Sequence, residues 1–148
     1  MTNKEFVLAF MRQNGRTAAL DLQKRSGDMT GTQLNSESEY IPDFVAAKTV
    51  CNMLHRAVGF VCKSSAGRVV KLLQPYDSDI FAAEPEELPA QWGFVWSTDP
   101  VKALPFVAIS TSPYMIGDCC TENDKTYKSK IDNNVWSPSS YPAGWEEV

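Results

Sequence analysis

The sequence feature that most constrains this chain is an eight-residue pattern that occurs twice. The pattern P-x-x-[LY]-P-A-x-W runs from Pro85 to Trp92 and again from Pro138 to Trp145. Every defined position of one copy has its counterpart at the same spacing in the other. Two such copies within 148 residues indicate a tandem repeat whose units each end at a tryptophan.

The residues that precede each copy extend the repeat. The first unit has Gly-Phe-Val-Cys at 59–62, a polar turn at 63–67 and an apolar run at 69–73. The second has Gly-Asp-Cys-Cys at 117–120, a polar turn at 122–125 and a further run at 126–131. Each unit is therefore predicted to be a strand, a short turn, a second strand, a loop and a closing segment.

These motifs resemble the chitin-binding type 3 domains, the carbohydrate-binding modules of families 5 and 12. The second unit carries the resemblance through Tyr114, Gly117-Asp118, Lys125, Tyr127, Trp136-Ser-Pro138-Ser139 and Pro142-Ala143-Gly-Trp145. The first carries it through Gly59, Gly67, the Q-P-Y-D-S segment at 74–78, which is similar to the family's Q-P-H-T-S, and Pro85 to Trp92. The resemblance implies a mainly β protein of two tandem small antiparallel three-stranded modules behind an N-terminal helical segment.

The resemblance also implies a carbohydrate-binding surface made of aromatic side chains. Trp136 aligns with the tryptophan that stacks on sugar in the family's W-x-P motif, and an aromatic ring packs well on the apolar face of a pyranose. Tyr141, Tyr114 and Tyr76 complete the predicted binding residues. The alternative for Trp136 is a lid that folds back over a small core.

The first unit departs from the family pattern at one important position. Ala83 stands where the stacking tryptophan would be, which leaves Tyr76 or Phe81 as the only substitutes. Sugar binding by the first unit is therefore in doubt, and a scaffolding role is favoured there. The closing residues Trp92 and Trp145 are assigned to the core of their units.

The predicted boundaries are 1–39 for a helical segment and linker, 40–97 for the first and degenerate unit, and 98–148 for a connector and the second unit. A capping box at Thr2–Glu5 predicts a helix start, and Asn14-Gly15 predicts an interruption or an end. We expect residues from about Ile41 onward to fold without this segment. For residues 45–58 two alternatives stay open, one helix or an extended approach to the first unit.

An apolar stripe runs along the N-terminal helix through Val7, Met11, Ala18 and Leu22. It serves either to pack the helix on the repeats or to mediate self-association or docking into a larger assembly. A homo-oligomer formed through this helix is thus one predicted partnership.

Composition excludes several other classes of function. A net charge of −4 argues against nucleic acid as a partner, because phosphate binding needs a basic surface. No apolar run is long enough to span a bilayer, so no membrane association is predicted, and no signal peptide is evident at the N-terminus.

Cysteine, histidine and carboxylate positions give no reason to predict metal or catalytic chemistry. Four cysteines without a C-x-x-C pair and a single histidine make a zinc site improbable, and free thiols are expected, with a Cys51–Cys62 bridge as the alternative. The acidic residues between Asp77 and Glu87 cluster on one loop instead of facing each other across a cleft, as glycosidases require. We predict no catalytic residues, no metal and no cofactor.

The sequence therefore predicts a non-catalytic carbohydrate- or host-surface-binding accessory protein. Modules of this kind behind a short helical N-terminus resemble proteins encoded in phage and prophage tail regions. The predicted location is a virion, or the cytoplasm before release, with a GlcNAc-containing polysaccharide or cell-wall glycan and other virion proteins as partners. The alternative is a purely structural virion assembly protein that binds no sugar.

Overall fold

The computed structural model describes residues 3–148, except for the side chains of residues 5–15. Three α-helices lie in the N-terminal third and seven short strands follow. The helices are α1 (Asn3–Arg25), α2 (Gly31–Ser36) and α3 (Phe44–Val50). The strands are β1 (Val61–Lys63), β2 (Val69–Leu72), β3 (Trp92–Phe94), β4 (Leu104–Pro105), β5 (Cys119–Glu122), β6 (Lys125–Ser129) and β7 (Trp145–Glu147).

The strands form two small sheets. The first has the order β1-β2-β3 with antiparallel neighbours, and the second has the order β4-β5-β6-β7, in which only the β4–β5 pair is parallel. Asn123 and Asp124 connect β5 to β6 with positive φ values, as a two-residue hairpin turn requires. These elements confirm the prediction of a mainly β protein with a helical N-terminal segment.

The same backbone geometry occurs at the start of each three-stranded meander. Gly59 and Gly117 adopt φ values of 92° and 93°, a conformation that glycine alone adopts without strain. The N–H of Gly59 donates to the carbonyl of Leu72 (2.7 Å), and the N–H of Gly117 donates to the carbonyl of Ser129 (2.9 Å). Each acceptor is the last residue of the central strand in its meander.

The same correspondence holds where each meander closes. Trp92 opens β3 opposite Leu72, and Trp145 opens β7 opposite Ser129. Both indoles are buried, as predicted, and each uses its ring N–H internally. Trp92 Nε1 donates to Tyr76 Oη (2.9 Å), and Trp145 Nε1 donates to the backbone carbonyl of Trp136 (2.8 Å). The closing tryptophan thus fixes both the end of its sheet and the loop beside it.

Three groups of buried side chains make up the core. Trp92 packs with Phe44 from α3 and with Leu72 from β2, and Trp145 packs with Tyr114 and Cys120. A third group joins the N-terminal segment to the other face of the first sheet and contains Leu22, Leu34, Ile41, Val61 and Val69.

The N-terminal segment is part of the first core. Leu22 from α1 and Leu34 from α2 are both fully buried. The side-chain amide of Gln23 binds Val61 twice, donating to its carbonyl (2.7 Å) and accepting from its N–H (3.0 Å). This packing argues against the expectation that residues from Ile41 onward fold without the segment. Of the apolar stripe, Leu22 packs on the first sheet, as one of the two alternatives predicts. The side chains of Val7 and Met11 are not among those that the structure describes.

One prediction about the helices is wrong, and one of the two alternatives left open for residues 45–58 is not realised. Helix α1 continues through Asn14 and Gly15, where an interruption was expected, because the intrinsic helix penalty of Asn or Gly is only about 1 kcal/mol or less. The single helix over 45–58 is also not formed, since α3 ends at Val50 and a separate 3-10 turn spans Met53–His55. The Asn52 side chain caps this turn by accepting from the N–H of Leu54 (2.9 Å). The capping box predicted at Thr2–Glu5 includes Thr2, which lies outside the described residues.

The cysteines are free thiols, so the Cys51–Cys62 alternative is not realised. Burial raises the pKa of the Cys62 thiol, which keeps it protonated. Cys119 and Cys120 are both buried, although alternate strand residues point to opposite faces. The second face of β5 is covered because residues 97–99 pass over it, where Cys119 Sγ lies 3.6 Å from the Thr98 carbonyl.

We predict that truncation of either closing tryptophan is severely destabilising. Trp92→Ala and Trp145→Ala should each lower the free energy of unfolding by about 3–5 kcal/mol, because each leaves a cavity in a small core. Val101→Ala is the control, since Val101 is 86% exposed and should change stability by less than about 0.5 kcal/mol. Urea unfolding measures all three. A loss below about 1 kcal/mol for either tryptophan would contradict its role as a core residue.

Candidate functional site

Trp136 and Tyr141 form an exposed aromatic pair on the loop between β6 and β7. Their side chains are 49% and 43% exposed, and their ring centroids lie 5.6 Å apart with the planes tilted by 40°. Among the described residues, Tyr141 is the only aromatic ring in contact with the Trp136 ring. The structure thus brings together two of the four predicted binding residues and leaves about half of the indole exposed.

Asn134 anchors the loop that carries Trp136. Its side chain is fully buried, and its Nδ2 donates to Ser129 Oγ (3.1 Å) and to the Gly144 carbonyl (3.2 Å). Its Oδ1 accepts from the N–H of Trp136 (3.3 Å). Because a buried amide with all three contacts satisfied resists displacement, the backbone beneath the exposed indole is held in place.

Tyr141 is positioned by a close approach to Gly144. A Cβ atom at residue 144 would lie 2.5 Å from Tyr141 Cδ1 and 2.9 Å from Tyr141 Cε1. Any side chain at this position would therefore push the tyrosine ring away from its present place. The absence of a side chain at Gly144 lets Tyr141 lie flat against the chain while its outer part remains exposed.

Three serines provide hydroxyl groups beside the pair. Ser137 Oγ donates to Ser140 Oγ (2.9 Å) and lies 3.2 Å from Ser139 Oγ. The backbone N–H of Ser139 donates to a carboxylate oxygen of Glu122 on β5 (2.9 Å), which ties this part of the loop to the sheet. An exposed aromatic surface flanked by hydroxyls can stack on one face of a sugar and hydrogen-bond its edge.

Two carboxylates shape the adjacent loop that precedes β5. Asp118 Oδ2 accepts from the N–H of Met115 (2.8 Å), and Asp132 Oδ1 accepts from the N–H of Ile116 (3.0 Å). Burial raises the pKa of Asp118, the hydrogen bond from Met115 acts in the opposite direction, and the negative charge of Asp132 raises the pKa further. These contacts hold the loop against the segment that carries Asn134.

The other two predicted binding residues are in the core, and their assignment to a surface is wrong. Tyr114 is fully buried, and its ring stacks on Trp96 with centroids 4.2 Å apart. Tyr76 is also buried, because its hydroxyl accepts the ring N–H of Trp92. Both rings pack against neighbouring aromatic side chains in the core, so neither is available to a sugar.

The first unit lacks an equivalent aromatic pair. Ile80 and Phe81 are exposed on the corresponding loop, but Phe81 has no aromatic partner among the described residues. The acidic side chains on this loop bind the chain itself, since Asn52 Nδ2 donates to Asp77 Oδ1 (2.9 Å) and Asp79 Oδ2 (3.1 Å). Within residues 3–148, excluding the side chains of 5–15, no group of three or more histidine, cysteine or carboxylate side chains is placed to hold a metal ion.

Sequence reasoning missed Asn134 and Gly144 as supporting residues. Asn134 follows two other polar residues, and its burial depends on contacts with Ser129 on β6 and with Gly144 in the closing turn, which the sequence pattern does not show. The only available signal was its position two residues before Trp136.

No described helix has the length and apolar character that crossing a membrane requires.

We predict that Asn134→Ala loosens the Trp136 loop. The substitution removes three hydrogen bonds of a fully buried amide, those to Ser129 Oγ and the Gly144 carbonyl and the one from the Trp136 N–H, which should cost about 1–3 kcal/mol. Gln74→Ala serves as the control, because Gln74 is an exposed amide whose side chain makes no hydrogen bond in the described part of the chain. Urea unfolding measures stability, and equal effects of the two substitutions would contradict the anchoring role.

Asp118 should make stability fall as pH rises through the acidic range. The pKa of Asp118 in the folded chain lies above its value in the unfolded chain, so in the acidic range the folded chain binds more protons. As the pH rises through the folded pKa, the buried carboxyl ionises at a cost in free energy, and stability falls. Asp118→Asn removes this contribution, and its amide oxygen still accepts from Met115. The stability of the variant relative to wild type should therefore increase with pH in urea unfolding from about pH 3.5 to 7. A relative stability that decreases with pH would contradict the burial argument.

Comparison of this chain with protein-family models, with curated proteins and with solved structures gives no match.

Proposed function

We propose that the protein is a non-catalytic carbohydrate-binding accessory protein that recognises a GlcNAc-containing polysaccharide through Trp136 and Tyr141. The observation that carries this proposal is the exposed aromatic pair, with ring centroids 5.6 Å apart, on a loop fixed by a buried amide. Exposing two large aromatic rings costs stability that burial would provide, so their exposure on a rigid support points to a ligand.

We also propose that the two meanders are tandem modules of the chitin-binding type 3 kind. The matching hydrogen bonds of Gly59 and Gly117 support this, as do the equal positions of Trp92 and Trp145 at the start of each closing strand. The buried prolines Pro85 and Pro138 stand at the same place in the two copies of the pattern. The first module then serves as support, because its aromatic residue Tyr76 is committed to the core.

The number of rings sets the expected strength of binding. One aromatic stack contributes about 0.5–1.5 kcal/mol beyond the area it buries, so a single module with two rings binds weakly. Weak sites become effective when many copies act together on a polymer. A phage or prophage virion that presents several copies to a cell-wall glycan fits this requirement, and we propose that setting for the protein.

The test is retention on insoluble polysaccharides. Wild-type protein should bind chitin or peptidoglycan more than cellulose, and Trp136→Ala should reduce affinity by about 5- to 30-fold while leaving the melting temperature within a few degrees of wild type. Phe81→Ala is the matched control, because it removes an exposed aromatic ring from the first module and should leave binding unchanged.

Each other outcome is informative. Failure of the wild type to bind any of the polymers would favour the alternative, a structural virion protein without sugar binding. Equal losses in Trp136→Ala and Phe81→Ala would show general adsorption through exposed rings. A large fall in melting temperature for Trp136→Ala would show that the indole is a lid over the core.

A further inference from the structure

A second surface of the molecule, away from the aromatic pair, has the properties of a binding site. An apolar groove of about 610 Å³ opens between the C-terminal half of α1, residues 39–42 and α3. A second groove of about 540 Å³ adjoins it and is also walled by Gln23, Arg56 and Phe60. Each volume falls within the range of small-molecule sites, about 300–1,000 Å³.

The first groove is lined mainly by apolar side chains, and the fold leaves several of them exposed. Leu20 on α1 and Val50 on α3 are exposed, Val50 to 84%, and Ile41 forms part of the wall. Exposed aliphatic side chains gathered in one groove differ from those scattered singly over a surface, because together they can release water to a single apolar ligand.

The second groove is basic. Arg56 and Lys71 line it, and neither belongs to an ion pair among the described residues. Glu39 is the only carboxylate among the described residues that line either groove, and it lies on the apolar one. The two grooves thus differ in character, one apolar and the other suited to an anion.

Arg56 stands between the two grooves with its hydrogen bonding incomplete. Its Nη2 donates to the carbonyl of Ala47 (2.7 Å), and its guanidinium lies over the ring of Phe60 with a carbon-to-centroid distance of 4.4 Å. Its Nε is buried and has no hydrogen-bond partner within the described part of the chain. A guanidinium held rigidly in this way, without a carboxylate, favours an anionic group beside it.

We propose that the two grooves together bind an amphiphilic anion. Its apolar chain lies along Leu20, Ile41 and Val50, and its anionic head group lies beside Arg56 and Lys71. Lys71 Nζ donates one hydrogen bond to the Ser26 carbonyl (3.0 Å) and has two further protons to offer the head group. This site goes beyond the proposed sugar binding and shares no residue with it.

The test uses the full chain and decanoate as the probe. Isothermal titration calorimetry below the concentration at which decanoate forms micelles should show binding to one site. Decanol, which has the same chain without the charge, and acetate, which has the charge without the chain, should each bind at least ten-fold more weakly. Sugar retention should be unaffected by saturating decanoate.

Two substitutions separate the apolar and the anionic parts. Val50→Asp should weaken decanoate binding at least ten-fold, whereas Val101→Asp, at an equally exposed valine outside the grooves, should leave it unchanged. Lys71→Gln should weaken decanoate more than decanol. Melting temperatures near wild type confirm that the variants are folded.

Three results would overturn the proposal. They are a wild-type chain that does not bind decanoate, decanol affinity equal to that of decanoate, and equal effects of Val50→Asp and Val101→Asp. Because Val50 is almost fully exposed, loss of folding is not expected to obscure the comparison.

Discussion

The aromatic stack that contains Trp96 joins the two halves of the structure. Trp96 follows β3 of the first sheet, and its ring stacks on Tyr114 with centroids 4.2 Å apart and planes within 13°. Its ring N–H donates to the Ser112 carbonyl (3.0 Å), and it contacts buried side chains of both cores. Two sheets of three and four strands bury little apolar surface separately. The shared stack lets each complete the core of the other.

This arrangement explains why the exposed aromatic pair can be rigid in so small a protein. Tyr114 contacts Trp96 on one side and Trp145 on another, and its backbone pairs with Asn134 in both directions. The same asparagine holds Trp136 by its side chain. The exposed indole is therefore connected to the inter-sheet stack through packed rings and a chain of hydrogen bonds that passes through the buried Asn134.

The mainly β character and the helical N-terminal segment could be predicted from the sequence, because short apolar runs alternate with turns that contain glycine and polar residues. Trp92 and Trp145 were correctly assigned to the core. Trp136 and Tyr141 lie side by side at the surface, and their binding of sugar stays a prediction. Tyr114 and Tyr76 were wrongly assigned to the surface, since one tyrosine in a polar loop looks the same in sequence whether its ring points inward or outward. The direction is decided by distant partners, Trp96 and Trp92. The fully helical α1 was missed for a related reason, because local propensity at Asn14-Gly15 is weaker than the continuity of the helix.

The double hydrogen bond from Gln23 to Val61 has a consequence for how copies of this protein can meet. Strand β1 lies at an edge of its sheet, where unpaired backbone groups invite another chain to add a strand. The Gln23 amide occupies both outward groups of Val61, and the Pro42 carbonyl accepts the outward N–H of Lys63 (2.9 Å). The Gln23 side chain and the Pro42 carbonyl thus make the hydrogen bonds that a neighbouring strand would otherwise make with β1. Crowded copies cannot extend this sheet into one another at β1, and any ordered association must use side-chain surfaces there.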